Sequence, residues 1–319
     1  MNPKISYSLD WQPMASLPNE TGGILSVVGV GADACYVAAQ HGLWECKDAG
    51  RKWKPVKGPW NDAMVSAIAT SPAFERDKTL LIATAVGILR TDDDGHSWTV
   101  GTAPRPIAGV TSLCLSPAFA RDGVAFAGTA EDGVLRSDDG GRTWVAWNFG
   151  LLDLNVISLA LVPDFGHGET LFAGTESGLF RSTNGGRAWR EVTLIEDVSP
   201  VLSLSFSPVI LAGMPANVLA GTEESGLFRS LDGGETWEQT IAWPSTACIN
   251  YLLYLNKMLV AATSRSIAIS FDDGETWNHQ NFSQPILALG SWSGQLWAGT
   301  STGGLWQVRI ELTGSAHDR

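Results

Sequence analysis

The sequence is poor in tyrosine, histidine, cysteine and positive charge. Its 319 residues hold 4 Tyr against 14 Trp, and 21 Lys plus Arg against 33 Asp plus Glu, a formal net charge of −12. An acid excess of that size repels phosphate backbones and anionic lipid headgroups, which argues against nucleic-acid binding and membrane association. No stretch approaches the about 18 consecutive apolar residues of a spanning helix. The opening residues, MNPKISYSLDWQPM, lack the apolar centre of a secretory signal, so the expected compartment is the cytoplasm. The 4 cysteines (Cys35, Cys46, Cys114, Cys248) have no C-x-x-C spacing, and the 5 histidines (His41, His96, His167, His279, His317) are scattered. Without paired ligands of that kind no metal site is expected, and nothing points to a cofactor. Cys35 and Cys46 lie about equally far from a turn at Gln40-His41, which sets them opposite each other on one hairpin. A sustained apolar period of 3.6 residues is also missing, so helices should be rare.

Glycine and tryptophan are abundant, at 35 and 14 residues, and they recur together. The strings Ser137-Asp-Asp-Gly-Gly-Arg-Thr-Trp144, Ser182-Thr-Asn-Gly-Gly-Arg-Ala-Trp189, Ser230-Leu-Asp-Gly-Gly-Glu-Thr-Trp237 and Ser270-Phe-Asp-Asp-Gly-Glu-Thr-Trp277 are copies of one motif. Thr91-Asp-Asp-Asp-Gly-His-Ser-Trp98 fits with Thr for Ser, and Cys46-Lys-Asp-Ala-Gly-Arg-Lys-Trp53 is a degenerate copy. The tryptophans from Trp53 to Trp277 are 45, 46, 45, 48 and 40 residues apart, a spacing typical of propeller blades. Between them, alternating apolar runs ending in Ser-Pro (Val65 to Pro72, Val110 to Pro117, Val156 to Pro163, Val201 to Pro208) precede runs such as Leu80–Thr84, Ala125–Thr129, Leu171–Thr175, Val218–Thr222 and Leu296–Thr300. Third runs open at Gly87, Gly133, Gly178 and Gly226, and the fourth begins at the tryptophan. Four short strands separated by turn residues make an antiparallel blade.

The chain ends set the blade number. After Trp277 come three strands, Ile286–Ser291, Gln295–Thr300 and Gly304–Ile310, but no fourth. An orphan strand surrounds Trp11, one period before Trp53. The expected fold is therefore all-β: a seven-bladed β-propeller of four-stranded antiparallel blades, with an N-terminal strand at about 6–16 completing the last blade. Residues 1–319 are expected to form one domain with a flexible tail at 312–319. Pairing first and last strands removes two open sheet edges.

Within each motif the acidic residue can accept its own turn's N–H groups, glycine admits positive φ, and the indole packs between blades. Such residues resemble the Asp-box, or BNR repeat, of bacterial sialidases, xyloglucanase-type hydrolases, sortilin-type receptors and the photosystem II assembly propeller. The resemblance spans all seven blades and implies architecture. In that superfamily the boxes lie opposite the active site, which gives Asp48, Asp93, Asp139, Asn184, Asp232 and Asp272 structural roles. The repeated Arg90, Arg136, Arg181 and Arg229 are read as packing residues too.

Function is then expected where the blades differ, on the face opposite the boxes. Its loops carry Trp60, Trp147, Phe149, Trp243 and Phe282 with Asp153, Glu176, Glu196 and Glu224. Exposed aromatics among carboxylates suit a protein or peptide partner with a basic patch, so the leading reading is a non-enzymatic binding or assembly scaffold. The alternative is a carbohydrate-active propeller, either a glycan binder or a glycoside hydrolase drawing its carboxylate pair from Asp62, Asp153, Glu176, Glu196 and Glu224. A sialidase is disfavoured: the Phe-Arg-Ile-Pro motif of that family is absent, and Tyr251 and Tyr254 fall on an inner strand. A xyloglucanase of the related family uses two propellers about a cleft, whereas this chain supplies one.

Overall fold

The computed structural model of the chain describes residues 7–312 apart from 15–16, 33, 49, 108, 164, 166–168, 195–199, 208–215, 241–242, 244–245 and 256–257. Seven four-stranded antiparallel sheets form a ring, a seven-bladed β-propeller. Blades 1 to 6 span residues 24–56, 65–100, 110–146, 156–192, 201–239 and 251–281, and blade 7 takes its three inner strands from 286–312. Its outer strand is Tyr7–Pro13, paired antiparallel with Leu305–Leu312 so that Trp11 faces Val308. Of the expected strand at 6–16, residues 6, 15 and 16 lie outside the described residues. All but one residue of the expected tail at 312–319 lies outside the described residues.

Strand boundaries follow turn chemistry. Leu80–Thr84, Ala125–Thr129, Leu171–Thr175 and Val218–Thr222 are each wholly buried second strands. Cys35 and Cys46 face each other across the hairpin of blade 1 as free buried thiols. Two short helices, Phe74–Asp77 and Phe119–Asp122, sit between first and second strands of blades 2 and 3. Both grow from a repeated Ser-Pro-Ala-Phe-x-Arg-Asp stretch, whose serine donates to the closing aspartate (Ser71 to Asp77 and Ser116 to Asp122, both 2.6 Å).

Three contacts join neighbouring blades. Hydroxyls on innermost strands donate to a carbonyl of the next innermost strand, as in Ser66 to Val110 (2.8 Å) and Thr111 to Val156 (2.6 Å), or just ahead of it, as in Ser203 to Ile249 (2.9 Å). Third-strand arginines reach the next blade's repeat turn: Arg136 donates to Gly185 O (2.6 Å), Arg181 to Glu235 (2.5 Å) and Arg229 to Glu275 (2.7 Å). Repeat tryptophans fill the seams, Trp144 being fully buried. Because strands alternate in direction, the 1-to-2 and 3-to-4 connections emerge on one face, here the turn face. The 2-to-3 and blade-to-blade connections emerge on the other, the loop face.

Candidate docking face

The turn face is chemically closed. In blade 3, Asp139 accepts hydrogen bonds from the N–H groups of Arg142 (3.0 Å) and Thr143 (2.9 Å) and from the hydroxyls of Thr143 (2.7 Å) and Ser137 (2.8 Å). Burial pushes its carboxyl up, but these donors, Thr143 first, hold it below the usual range. Asp232 is lowered mainly by the Thr236 hydroxyl and N–H, and Asp272 uses the same donors from Thr276. Asn184 accepts from Ala188 N (2.9 Å) without a charge. In blade 1 a thiol replaces the hydroxyl: Cys46 Sγ donates to Asp48 (3.1 Å) and accepts from Gly50 N (3.0 Å). Asp93 is held by Ser97 and Thr91. The indoles of Trp98, Trp144, Trp237 and Trp277 close back onto the carbonyls of Gly95, Gly141, Gly234 and Gly274 at 3.0–3.2 Å.

The loop face differs from expectation in its aromatics. Trp60, Trp243 and Phe282 are 3%, 5% and 9% exposed, so they are seam residues rather than surface ones. Each packs edge-on against the repeat tryptophan of the following blade: Trp60 on Trp98 (5.2 Å), Trp243 on Trp277 (5.5 Å) and Phe282 on Trp11 (4.9 Å). Trp147 is half-buried and turned toward the turn face, held between the guanidinium groups of Arg136 (4.3 Å) and Arg187 (5.5 Å). Phe149 alone of the five stands free, at 80% exposure.

Of the carboxylates, the structure brings Asp153 and Glu176 together. Asp153 accepts from Asn155 N (2.9 Å) and Ser177 N (2.7 Å), and Glu176 from Asn155 Nδ2 (2.7 Å). Partial burial raises Asp153, but the N–H groups of Asn155 and Ser177 prevail and hold it low. A general acid for glycoside cleavage needs the opposite shift. Asp62 and Glu224 are exposed on separate loops, and Glu196 lies outside the described residues. Tyr251 donates to Leu287 O, and burial pushes its hydroxyl up to about 12.

These bonds hold the loop from Trp147 to Asn155 in one shape. Asn148 Oδ1 accepts from Val134 N (2.9 Å), and its amide donates to Asp132 O (2.7 Å). Gly133 N donates to Leu154 O (3.0 Å), and Trp189 N to Phe149 O (2.8 Å). Gly150 has φ +81°, and a Cβ there would lie 2.4 Å from Trp189 O, so only glycine allows this approach. Leu151 tucks in at 6% exposure while Leu152 stands out at 80%.

Beside it runs a strap. After the outer strand of blade 2, Thr102 crosses to blade 3, donating from its N–H to Arg142 O (2.9 Å) and accepting from Trp144 N (2.8 Å). Between Ala103–Ile107 and the edge of blade 3 lies a groove of about 310 Å³, with Val145 and Leu154 on its wall and Trp144 and Leu135 beneath. Asp132, Ala146 and Asn148 complete the lining, and Arg105 is its one cation among the described residues. Sequence reasoning placed Trp147, Phe149 and Asp153 of this loop on this face but not the groove, because a strap crossing between blades has no motif of its own.

No protein-family model matches the chain, and no curated protein matches it. Solved structures do match. The extracellular domain of a candidate one component system from B. thetaiotaomicron aligns over 93% of this chain at 17% identity and TM-score 0.73; the chain spans 39% of that protein. YCF48 bound to D1 peptide aligns over 98% of this chain and 99% of its own, at 17% identity and TM-score 0.69. A GH74 xyloglucanase from Xanthomonas campestris aligns over 98% of this chain and 55% of its own, at 16% identity and TM-score 0.70. Likeness at this identity defines the class, a seven-bladed propeller, and leaves function to the site.

Proposed function

We propose that this chain is a non-enzymatic scaffold that binds a protein partner through the face opposite its repeat turns, in an assembly role. The observation that carries the reading is Phe149 and Leu152, each 80% exposed on a loop fixed by its own hydrogen bonds. Large apolar groups held rigid in water cost little ordering entropy on binding and gain area burial, the signature of an interaction hot spot. A peptide seated on YCF48, a propeller of the same fold, supports the plausibility of that use. Acids dominate the face, which suits a partner with a basic patch and disfavours nucleic acid. We also read residues 1–319 as one domain of the Asp-box type, with its free thiols suited to a reducing compartment such as the cytoplasm.

The test is partner capture with purified, folded variants. Phe149→Ala with Leu152→Ala should abolish capture of a protein that wild type retains, with far-UV circular dichroism unchanged. Equal capture by that variant, with loss in Arg187→Glu on the turn face, would assign binding to the wrong face. Binding on a glycan array that needs Asp153 and Glu176 would replace the reading by the carbohydrate one.

A further inference from the structure

The exposed apolar side chains are not spread around the ring. Among the described residues eight large ones are exposed, and six of them (Val86, Val100, Val145, Phe149, Leu152, Leu154) belong to blades 2 and 3 and the loop entering blade 4. Seven copies of one blade would distribute them evenly, so this concentration is a local departure from the repeat. Val145 and Leu154, 50% and 40% exposed, line the strap groove, and the stretch carrying Phe149 and Leu152 begins and ends at groove residues. Groove and loop form one apolar strip.

Charge surrounds this strip asymmetrically. Asp132 lines the groove and Glu131 adjoins it; neither carboxylate accepts a hydrogen bond or ion pair from the described residues. Asp153 and Glu176 follow along the loop, and Arg105 is the one basic residue lining the groove among the described residues. The strap cannot serve as a template strand, because Pro104 and Pro106 have no N–H to donate. Recognition here must come through side chains.

Resting on the scaffold reading above, we propose that the strap groove of blade 3 is a docking site for a short protein segment that carries an apolar anchor side chain next to lysine or arginine. The anchor enters between Ala103–Ile107 and Val145, above the already buried Leu135 and Trp144. The neighbouring cation meets Asp132, and flanking apolar residues lie on Leu152 and Phe149. An acidic segment is rejected, since it would meet unpartnered carboxylates of its own sign.

The probe is a random-peptide phage library panned on the full chain, followed by affinities of the enriched peptides at low and high ionic strength. Enrichment should favour a large apolar residue adjoining Lys or Arg. Leu154→Asp should weaken these peptides about tenfold or more, and the milder Val145→Ser should weaken them less. Asp132→Lys should lower affinity and flatten its salt dependence. Each variant must keep the wild-type melting temperature. Acidic peptides, no enrichment, or unchanged affinity for Leu154→Asp would overturn the proposal. If the peptides ignore Leu154→Asp but weaken on Glu223→Lys elsewhere on the loop face, the groove assignment falls and the scaffold reading stands. If only Arg187→Glu on the turn face weakens them, both fall.

Discussion

Asp139 and Asp132 stand seven positions apart at opposite ends of one strand of blade 3, and they live differently. Asp139 accepts four hydrogen bonds from its own turn. Asp132 accepts none at its carboxylate from the described residues and faces an apolar groove. The same contrast separates the two faces. On the turn face, Asp or Asn, glycine and tryptophan recur in blades 1 to 6, and the acceptor is satisfied by its own turn. On the loop face, carboxylates and apolar groups differ from blade to blade and many look outward. Repetition marks what holds the ring together; departure from it marks where something else can be held.

Four experiments test that division, from the largest expected effect to the smallest. Trp144→Ala removes a fully buried indole from the seam of blades 2 and 3 and should cost about 3–5 kcal/mol in a denaturant titration. A loss below about 1 kcal/mol would mean that the seams do not carry the stability assigned to them. Asp139→Ala takes the acceptor from four donors and should cost about 1 kcal/mol, lowering the melting temperature by a few degrees while peptide binding in the groove persists.

Acid should act selectively. The carboxyls of Asp139, Asp232 and Asp272 are lower in the folded protein than in the unfolded chain. Their contribution is therefore complete above the unfolded value of about 4 and is lost as pH falls through the folded values. The wild type should lose stability steadily below about pH 4, and Asp232→Asn should show a shallower slope there. Identical slopes would remove the turns from the account. The smallest effect belongs to the loop face: Phe149→Ala and Leu152→Ala should change stability by no more than about 0.5 kcal/mol. A larger loss would show that these side chains serve the fold, and the division between the faces would blur.

Much of the ring was legible because its turn chemistry is local. Ser-x-Asp-x-Gly-x-Thr-Trp encodes acceptor, positive φ and seam residue within eight positions, and period 2 alternation supplied the strands. Cys35 opposite Cys46 followed from counting out from one turn. The loop aromatics were less legible, because identity does not encode exposure. Trp60, Trp243 and Phe282 were read as departures from the repeat, yet they stand 7, 6 and 5 residues after Trp53, Trp237 and Trp277 and all pack on the next blade's tryptophan. Their recurrence was the signal that they are structural. The helical turns at Phe74 and Phe119 were likewise foreshadowed by a repeated Ser-Pro-Ala-Phe stretch, too short for any helical period to register. The groove depends on Thr102 bonding to Arg142 and Trp144 about 40 residues away, a pairing without a motif.

The union of Tyr7–Pro13 with Leu305–Leu312 has a temporal side. Trp11 Nε1 donates to Gln280 (2.9 Å) across 269 residues of chain, so during synthesis this contact waits until the chain has been extended through Gln280. On the ribosome and during refolding, the first strand is an unattached ribbon and blade 7 presents a vacant outer berth. Closing so long a span carries the largest loop entropy in the molecule and makes this step slow relative to the formation of any single hairpin. During that interval the berth does not distinguish its own ribbon from that of a neighbour. Two crowded copies can exchange first strands and emerge as an interlocked pair, an outcome that would make refolding yield fall with concentration even though the finished ring has all seven blades complete.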